Sequence, residues 1–395
     1  MRLVVVSHAL VQEGSWARWR RLAERHPVEV HLLVPSRWEN AWFGQRTVWR
    51  PGVVLEGRFA VQPLPVVHHC SWGTYLFASL DARLRRLRPD VIYCVQEELT
   101  LVLQQMILYR GLWAARSRLA FFSWNNLGVA GSRWWQRAFW GRTCEGTDMA
   151  IAGNSEVVGV LRRAGYTKPI AVQTEIGVDE NVFFPDPARG RLRRATLGLH
   201  GFVVGFAGRL TEAKGILDLV DASLQLPGDW QLLLVGDGEL RPGIEARFAS
   251  LGKPDRLRCT GQVKLDEMPD LLRAMDCLVL PPRTTPAWKE QFGLVLAQAM
   301  ACGVPVIGSD SGAIPGVIAD AGLIFPEGDA SVLRAALQRL MSDEGLRQDL
   351  AQRALKRCLG KYSATALANE TYETFTRLLD GNFRWADKSP EQEGR

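Results

Sequence analysis

Gly205-Phe206-Ala207-Gly208-Arg209-Leu210-Thr211-Glu212-Ala213-Lys214-Gly215 is the stretch whose reading decides how this chain folds. The apolar run from Phe202 to Ala207 stops at Gly208-Arg209, and a helical pattern begins after Lys214. A strand that is apolar on every residue reads as buried on both faces, as in parallel sheets covered by helices. Ligands of such open sheets bind at strand-to-helix turns, and this turn carries two cations, Arg209 and Lys214. Arginine can donate two parallel hydrogen bonds to a phosphate, while lysine supplies a compact charge, so the pair suits a diphosphate. Read alone, the same pair is two surface cations at a strand end. The neighbouring sequence has to decide between these readings.

Outward from this stretch the pattern repeats. Strands are expected over 231–235, 256–260, 277–280, 304–308 and 323–325, with helices between them. Upstream, strands are expected over 3–6, 28–34, 91–95, 119–123 and 149–153, alternating with helical stretches at 16–24, 78–87, 99–109, 134–142 and 156–164. With 395 residues, the chain exceeds the ~250–300 that a single core usually serves, so two domains are expected. Pro and Gly break the pattern in Phe184-Pro185-Asp186-Pro187-Ala188-Arg189-Gly190. That places an N-terminal Rossmann-like domain over 1–186 and a C-terminal one over 187–363, followed by a helix at 364–380. The polar residues 381–395 are expected to be disordered.

Hydrophobic residues make up 47% and charged residues 23%, ordinary for a globular protein, and no apolar run approaches the ~18–20 residues that span a bilayer. The first residues lack a signal-peptide cleavage pattern, so a cytoplasmic location is expected. Charge is uneven. Residues 1–188 hold 22 Arg and Lys against 16 Asp and Glu, the rest is neutral, and the first half holds eleven of the fourteen tryptophans. This points either to an anionic partner or the inner membrane face for the first half, or to arginine-rich composition with tryptophans filling a core. No nucleic-acid partner is expected. The seven cysteines are scattered without a C-x-x-C pair, which argues for buried thiols over disulfides or zinc. His68-His69-Cys70 lacks a fourth ligand at useful spacing, so no metal site is assigned there.

Lys289-Glu290-Gln291-Phe292-Gly293 opens a helix that ends at Ala301-Cys302-Gly303-Val304-Pro305. Taken with Arg209, Lys214 and the preceding Arg283-Thr284-Thr285-Pro286-Ala287-Trp288, this segment resembles retaining glycosyltransferases of family 4. The likeness is specific over 203–329 and loose over the first half. It implies an α/β GT-B fold, two Rossmann-like domains with parallel sheets facing a central cleft, and a helix at 364–380 crossing back to the N-terminal domain. It implies a hexosyltransferase that takes a nucleotide diphosphate sugar, UDP-sugar favoured over GDP-sugar, and a hydroxyl acceptor that lipid-linked compounds could supply. Surface polysaccharide, glycolipid and natural-product synthesis are the settings it suggests. A catalytically idle donor-binding protein, or an epimerase or hydrolase of the same fold, is the alternative. The chain has no D-x-D triplet, which agrees with cations rather than a metal neutralising the leaving diphosphate, so no metal and no cofactor are expected.

On this resemblance Arg209, Lys214 and Glu290 are the catalytic residues, with Glu290 on the hexose hydroxyls. Gly208, Gly236, Gly238, Val263, Phe292, Gly293, Leu294 and Gln298 line the donor. Two positions depart from the pattern. Gln298 stands where relatives have a second glutamate for the ribose; it can still accept a hydrogen bond but lacks the charge. Gly316 stands where relatives usually carry a glutamate. On the acceptor side the candidates are His8, Gly14, Glu97, Glu98 and Asn125. His8 reads equally as reaching the reacting centre or capping the following helix. Glu97 and Glu98 would orient acceptor hydroxyls, and Asn125 stands where many relatives have a histidine. Arg133-Trp134-Trp135-Gln136-Arg137-Ala138-Phe139-Trp140 reads either as an interfacial patch or as core packing.

Overall fold

The computed structural model describes residues 1–42, 45–67, 73–129 and 133–382. The His68-His69-Cys70 reading and the expected disorder of 383–395 lie outside the described residues. The chain forms two units, Met1–Gly177 with the segment that starts at Ala364, and Val178–Ser363. Residues 178–186, which the sequence assigned to the N-terminal domain, thus lie in the second unit.

The second unit is built on a six-stranded parallel sheet. Its spatial order is Leu257–Gly261, Trp230–Val235, Phe202–Ala207, Cys277–Leu280, Val306–Ser309 and Leu323–Phe325. Numbered along the chain, that order is 3-2-1-4-5-6, the doubly wound arrangement. The strand order reverses between Phe202–Ala207 and Cys277–Leu280, which opens a crevice at the carboxyl ends of those two strands. All six residues of Phe202–Ala207 are buried, as its uniform apolarity requires. The Pro- and Gly-rich segment near 186 is a helix start. Asp186 Oδ1 accepts from the N–H groups of Ala188 and Arg189 at 3.1 and 3.0 Å, capping the helix Pro187–Leu197.

The first unit has an eight-stranded sheet ordered Ile170–Val172, Met149–Ala152, Arg118–Ser123, Val91–Cys94, Arg2–Val6, Glu29–Pro35, Phe59–Leu64 and Val54–Glu56. All neighbours pair in parallel except the last two. The reversal lies between Arg2–Val6 and Val91–Cys94, so Ser7-His8 and Gln96-Glu97 leave the sheet side by side. The sequence reading missed Phe59–Leu64 and the antiparallel hairpin Trp38–Trp42 with Gln45–Trp49.

The C-terminal helix Ala364–Leu379 packs along Ala17–Arg25. Arg18, 3% exposed, locks the two together. Its guanidinium donates to Thr371 Oγ1 at 2.6 and 3.0 Å, to the carbonyls of Thr174 and Glu175 at 3.0 and 3.2 Å, and to Gln173 Oε1. His26 adds a 2.8 Å hydrogen bond to Asn369 and a stacked contact with Tyr372 at 4.2 Å.

Candidate functional site

At the reversal point of the second unit, three glycine turns come together. A Cβ on Gly236 would lie 2.0 Å from the Gly208 carbonyl oxygen, and one on Gly238 would lie 2.4 Å from that of Leu210. Only glycine permits that approach. Backbone bonds hold it: Gly208 N–H to Val235 O, Leu210 N–H to Asp237 O and Gly236 N–H to Gly261 O, at 2.9, 2.9 and 3.0 Å. The predicted turns around Gly208, Gly236 and Gly238 are thereby brought into contact. The 236 turn is also tied to Gly261, two residues before the half-buried Val263.

Lys214 ends the turn. Gly215 behind it, at φ +64°, starts the helix Ile216–Leu224, and a Cβ there would sit 1.6 Å from the Pro281 carbonyl oxygen. The two strand ends therefore close directly on one another. Lys214 Nζ donates to Glu290 Oε2 at 2.7 Å and lies 4.4 Å from the centroid of the Trp288 ring. Glu290, 8% exposed, also accepts at Oε1 from the Gly293 and Gln291 N–H groups, at 3.1 and 3.3 Å. Gly293 (φ +76°) begins the helix Leu294–Ala301, whose amino end adds positive potential beside the carboxylate. Phe292 is buried edge-on to Tyr362 at 5.4 Å.

Arg209 occupies the same strand-to-helix turn but is exposed, and its side chain makes no hydrogen bond or ion pair among the described residues. The site therefore pairs one internally neutralised cation with one uncompensated cation. Gln298 is 8% exposed, and its amide makes no hydrogen bond among the described residues. Gly316 lies in the short helix Ile314–Ile318, where a Cβ would meet nothing within 4 Å. Sequence reasoning gave Trp288 no role. Its contact with a residue 74 positions away exists only in the fold.

In the first unit, Glu97 Oε2 accepts from Ser123 Oγ at 2.8 Å, and Glu97 Oε1 from the Trp124 N–H at 3.0 Å. Burial first, then the neighbouring Glu98, pushes the Glu97 carboxyl well above the usual range. Glu98 is 2% exposed and holds the Asn125 amide at 2.7 Å. The same amide bonds Gly128 through both its ends, at 2.8 and 3.1 Å. Glu98 and Asn125 therefore shape the loop after Arg118–Ser123, while Glu97 anchors that loop's start. Trp124 Nε1 reaches Glu175 Oε2 at 3.1 Å, and burial pushes the Glu175 carboxyl up to about 7.

The His8 ring packs against Trp38 and Tyr75, with centroids at 4.8 and 5.8 Å, and makes no helix-capping bond. Gln96 Nε2 lies 2.7 Å from His8 Nδ1 and donates to the Tyr75 hydroxyl at 2.9 Å. Gly14 sits in the exposed turn Glu13–Ser15. The segment after Arg133 splits in two. Trp134 is 77% exposed, while Trp140 bonds the Ala164 carbonyl at 2.7 Å and packs on the core. No helix of the described residues is long and apolar enough to cross a membrane.

Comparison with known proteins gives these features their context. Residues 194–357 match the family of glycosyl transferases group 1. D-inositol 3-phosphate glycosyltransferase of Salinispora arenicola is 34% identical over 228 residues, 52% of this chain and 50% of the relative. N-acetyl-alpha-D-glucosaminyl L-malate synthase of Bacillus anthracis is 30% identical over 201 residues, 50% of this chain and 51% of the relative. The chain spans about half the length of these curated relatives. Sucrose-phosphate synthase of Thermosynechococcus elongatus superposes with a TM-score of 0.68 at 19% identity, over 96% of this chain and 100% of that one. Anabaena HepE, solved in complex with UDP, superposes with a TM-score of 0.67 at 18% identity, over 95% and 99%. The chain has the GT-B fold of these solved structures, and its residues 194–357 are similar to the glycosyl transferases group 1.

Proposed function

We propose that this protein is a retaining hexosyltransferase that moves a hexose from a nucleotide diphosphate sugar to a hydroxyl acceptor without a metal. UDP-sugar is the favoured donor and GDP-sugar the alternative. The observation that carries the reading is the exposed, uncompensated Arg209 on the same turn as the Lys214–Glu290 pair, at the reversal point of a doubly wound sheet. The bond between sugar C1 and the β-phosphate oxygen breaks, and charge grows on that phosphate. Arg209 and the remaining N–H groups of Lys214 stabilise it. Glu290, its other oxygen fixed by backbone N–H groups, orients the sugar hydroxyls. The departing phosphate takes the acceptor's proton on the same face, so configuration is kept and no protein base is required.

The test is calorimetric titration of UDP and GDP, followed by transfer assays, with Arg209→Ala as control. Nucleotide binding that falls at least about tenfold in the variant supports the reading. Equal binding by both proteins removes it. Gln298 and Gly316 favour a second reading, an idle donor-binding protein, which would bind nucleotide and transfer to no acceptor. Peripheral membrane contact would run through exposed Trp134 with Arg133, Arg137 and Arg142. Replacing the three arginines by glutamine is expected to release the protein from anionic liposomes in sedimentation. Unchanged binding would rule out this surface.

A further inference from the structure

We infer that Trp288 is a positioning residue for the diphosphate, acting through Lys214; the inference rests on the donor-site reading above. The ammonium of Lys214 is held from two sides, by Glu290 Oε2 at 2.7 Å and by the Trp288 ring at 4.4 Å. The backbone that carries the ring is itself fixed by a tight turn. Thr285 N–H donates to Trp288 O at 2.8 Å, Trp288 N–H donates to Thr285 Oγ1 at 2.9 Å, and Pro286 presets the first corner. A lysine side chain has four rotatable bonds and is otherwise free to swing into water, at a cost in rotamer entropy when it is ordered. Glu290 alone fixes one direction of pull. The ring face adds a second surface that attracts the cation without taking any of its N–H groups. Two N–H groups thus stay available for phosphate oxygens while the ammonium keeps its place.

The experiment measures UDP and UMP binding by calorimetry in wild type, Trp288→Ala, Trp288→Phe, Lys214→Met and the Trp288→Ala/Lys214→Met double variant. A cation–π contact of this kind is worth about threefold to thirtyfold in affinity. Trp288→Ala is expected to weaken UDP by that factor and to leave UMP, which lacks the β-phosphate, within about twofold. Trp288→Phe keeps a ring face and is expected to recover most of the UDP affinity. In the Lys214→Met background, removing the ring should add less than about twofold, because no cation remains to position. The inference is overturned by equal losses in both backgrounds, by parallel losses of UDP and UMP, or by no loss at all. Matching circular dichroism melts separate these results from misfolding, and Trp288→Phe supplies a second arm should the alanine variant unfold. Failure of wild type to bind UDP or GDP would overturn the donor-site reading as well, an outcome distinct from all of these.

Discussion

At the scale of single residues, the proposed donor site departs from the glycosyltransferase pattern it resembles at positions the surrounding structure leaves room to change. Gln298 is 8% exposed and its amide makes no hydrogen bond among the described residues, so a carboxylate there would displace none of their bonds. A ribose hydroxyl donating to a carboxylate makes a charge-assisted bond, roughly twice as strong as one to an amide. Gln298→Glu is therefore expected to tighten UDP binding by about fivefold in calorimetry. Weaker binding would mean that residue 298 does not meet the ribose. Gly316 is the complementary case. Its Cβ position is open, and glycine within a helix costs about 0.5–1 kcal/mol relative to alanine. Gly316→Glu is expected to be neutral or stabilising in a thermal melt, and a lower melting temperature would show that the open space is needed. Both departures were legible in the sequence. The grip of Trp288 on Lys214 was not, because no local spacing relates two residues brought together only by strand order.

At the scale of elements, a polar anchor adds to the shared apolar core in holding the C-terminal helix to the first unit. Arg18 ties the helix Ala17–Arg25, the strand-end residues Gln173 to Glu175 and the C-terminal helix through one buried guanidinium. Burial lowers its pKa from the ordinary arginine value, the mark of a cation taken out of water and compensated by hydrogen bonds. Arg18→Met would take the donor from two carbonyls and the Gln173 amide oxygen, and leave the Thr371 hydroxyl only its bond to the Leu367 carbonyl, at about 3–5 kcal/mol. Limited proteolysis is expected to clip the C-terminal helix early in the variant; a cleavage pattern like wild type would remove the anchoring role. The regular elements were readable because each central strand is uniformly apolar and each helix follows a turn signal. Phe59–Leu64 was missed because Gln62 and Pro63 interrupt the apolar run. It forms because it pairs with Glu29–Pro35 over six residues. The helix Pro187–Leu197 was missed for the opposite reason. Asp186 and Pro187 look like a linker, yet an acidic cap followed by proline is also how a helix starts.

At the scale of the molecule, the parallel strands of both sheets begin 3-2-1-4-5-6, with one more parallel strand and an antiparallel edge strand in the first unit, so each sheet has a crevice at the carboxyl ends of two neighbouring strands. Those ends differ in charge. The second unit's end carries Arg209 and Lys214, whereas the first unit's, in a half with a basic excess, carries Glu97, Glu98 and Glu175. The acidic end makes stability depend on pH. Burial raises the Glu175 carboxyl from an ordinary 4.5 to about 7, and Glu97 shifts in the same direction. A raised acid holds its proton more tightly in the folded chain than in the unfolded one. Its contribution is complete below about pH 4.5 and is lost as pH rises through 7. Carboxylates shifted the other way, Glu29 beside Arg2 in the first unit and Asp186 and Asp329 at helix caps in the second, titrate below their ordinary values and do not act in this window. The first unit is therefore expected to unfold at lower denaturant at pH 8 than at pH 5. Glu175→Gln, which keeps an acceptor for Trp124 Nε1 but cannot ionise, is expected to flatten that difference and to exceed wild type at pH 8. The measurement is the denaturant midpoint of both proteins at the two pH values. Parallel midpoints would mean that the Glu175 carboxyl takes its charge in the folded chain without penalty, and Glu97 would then be the group to replace next.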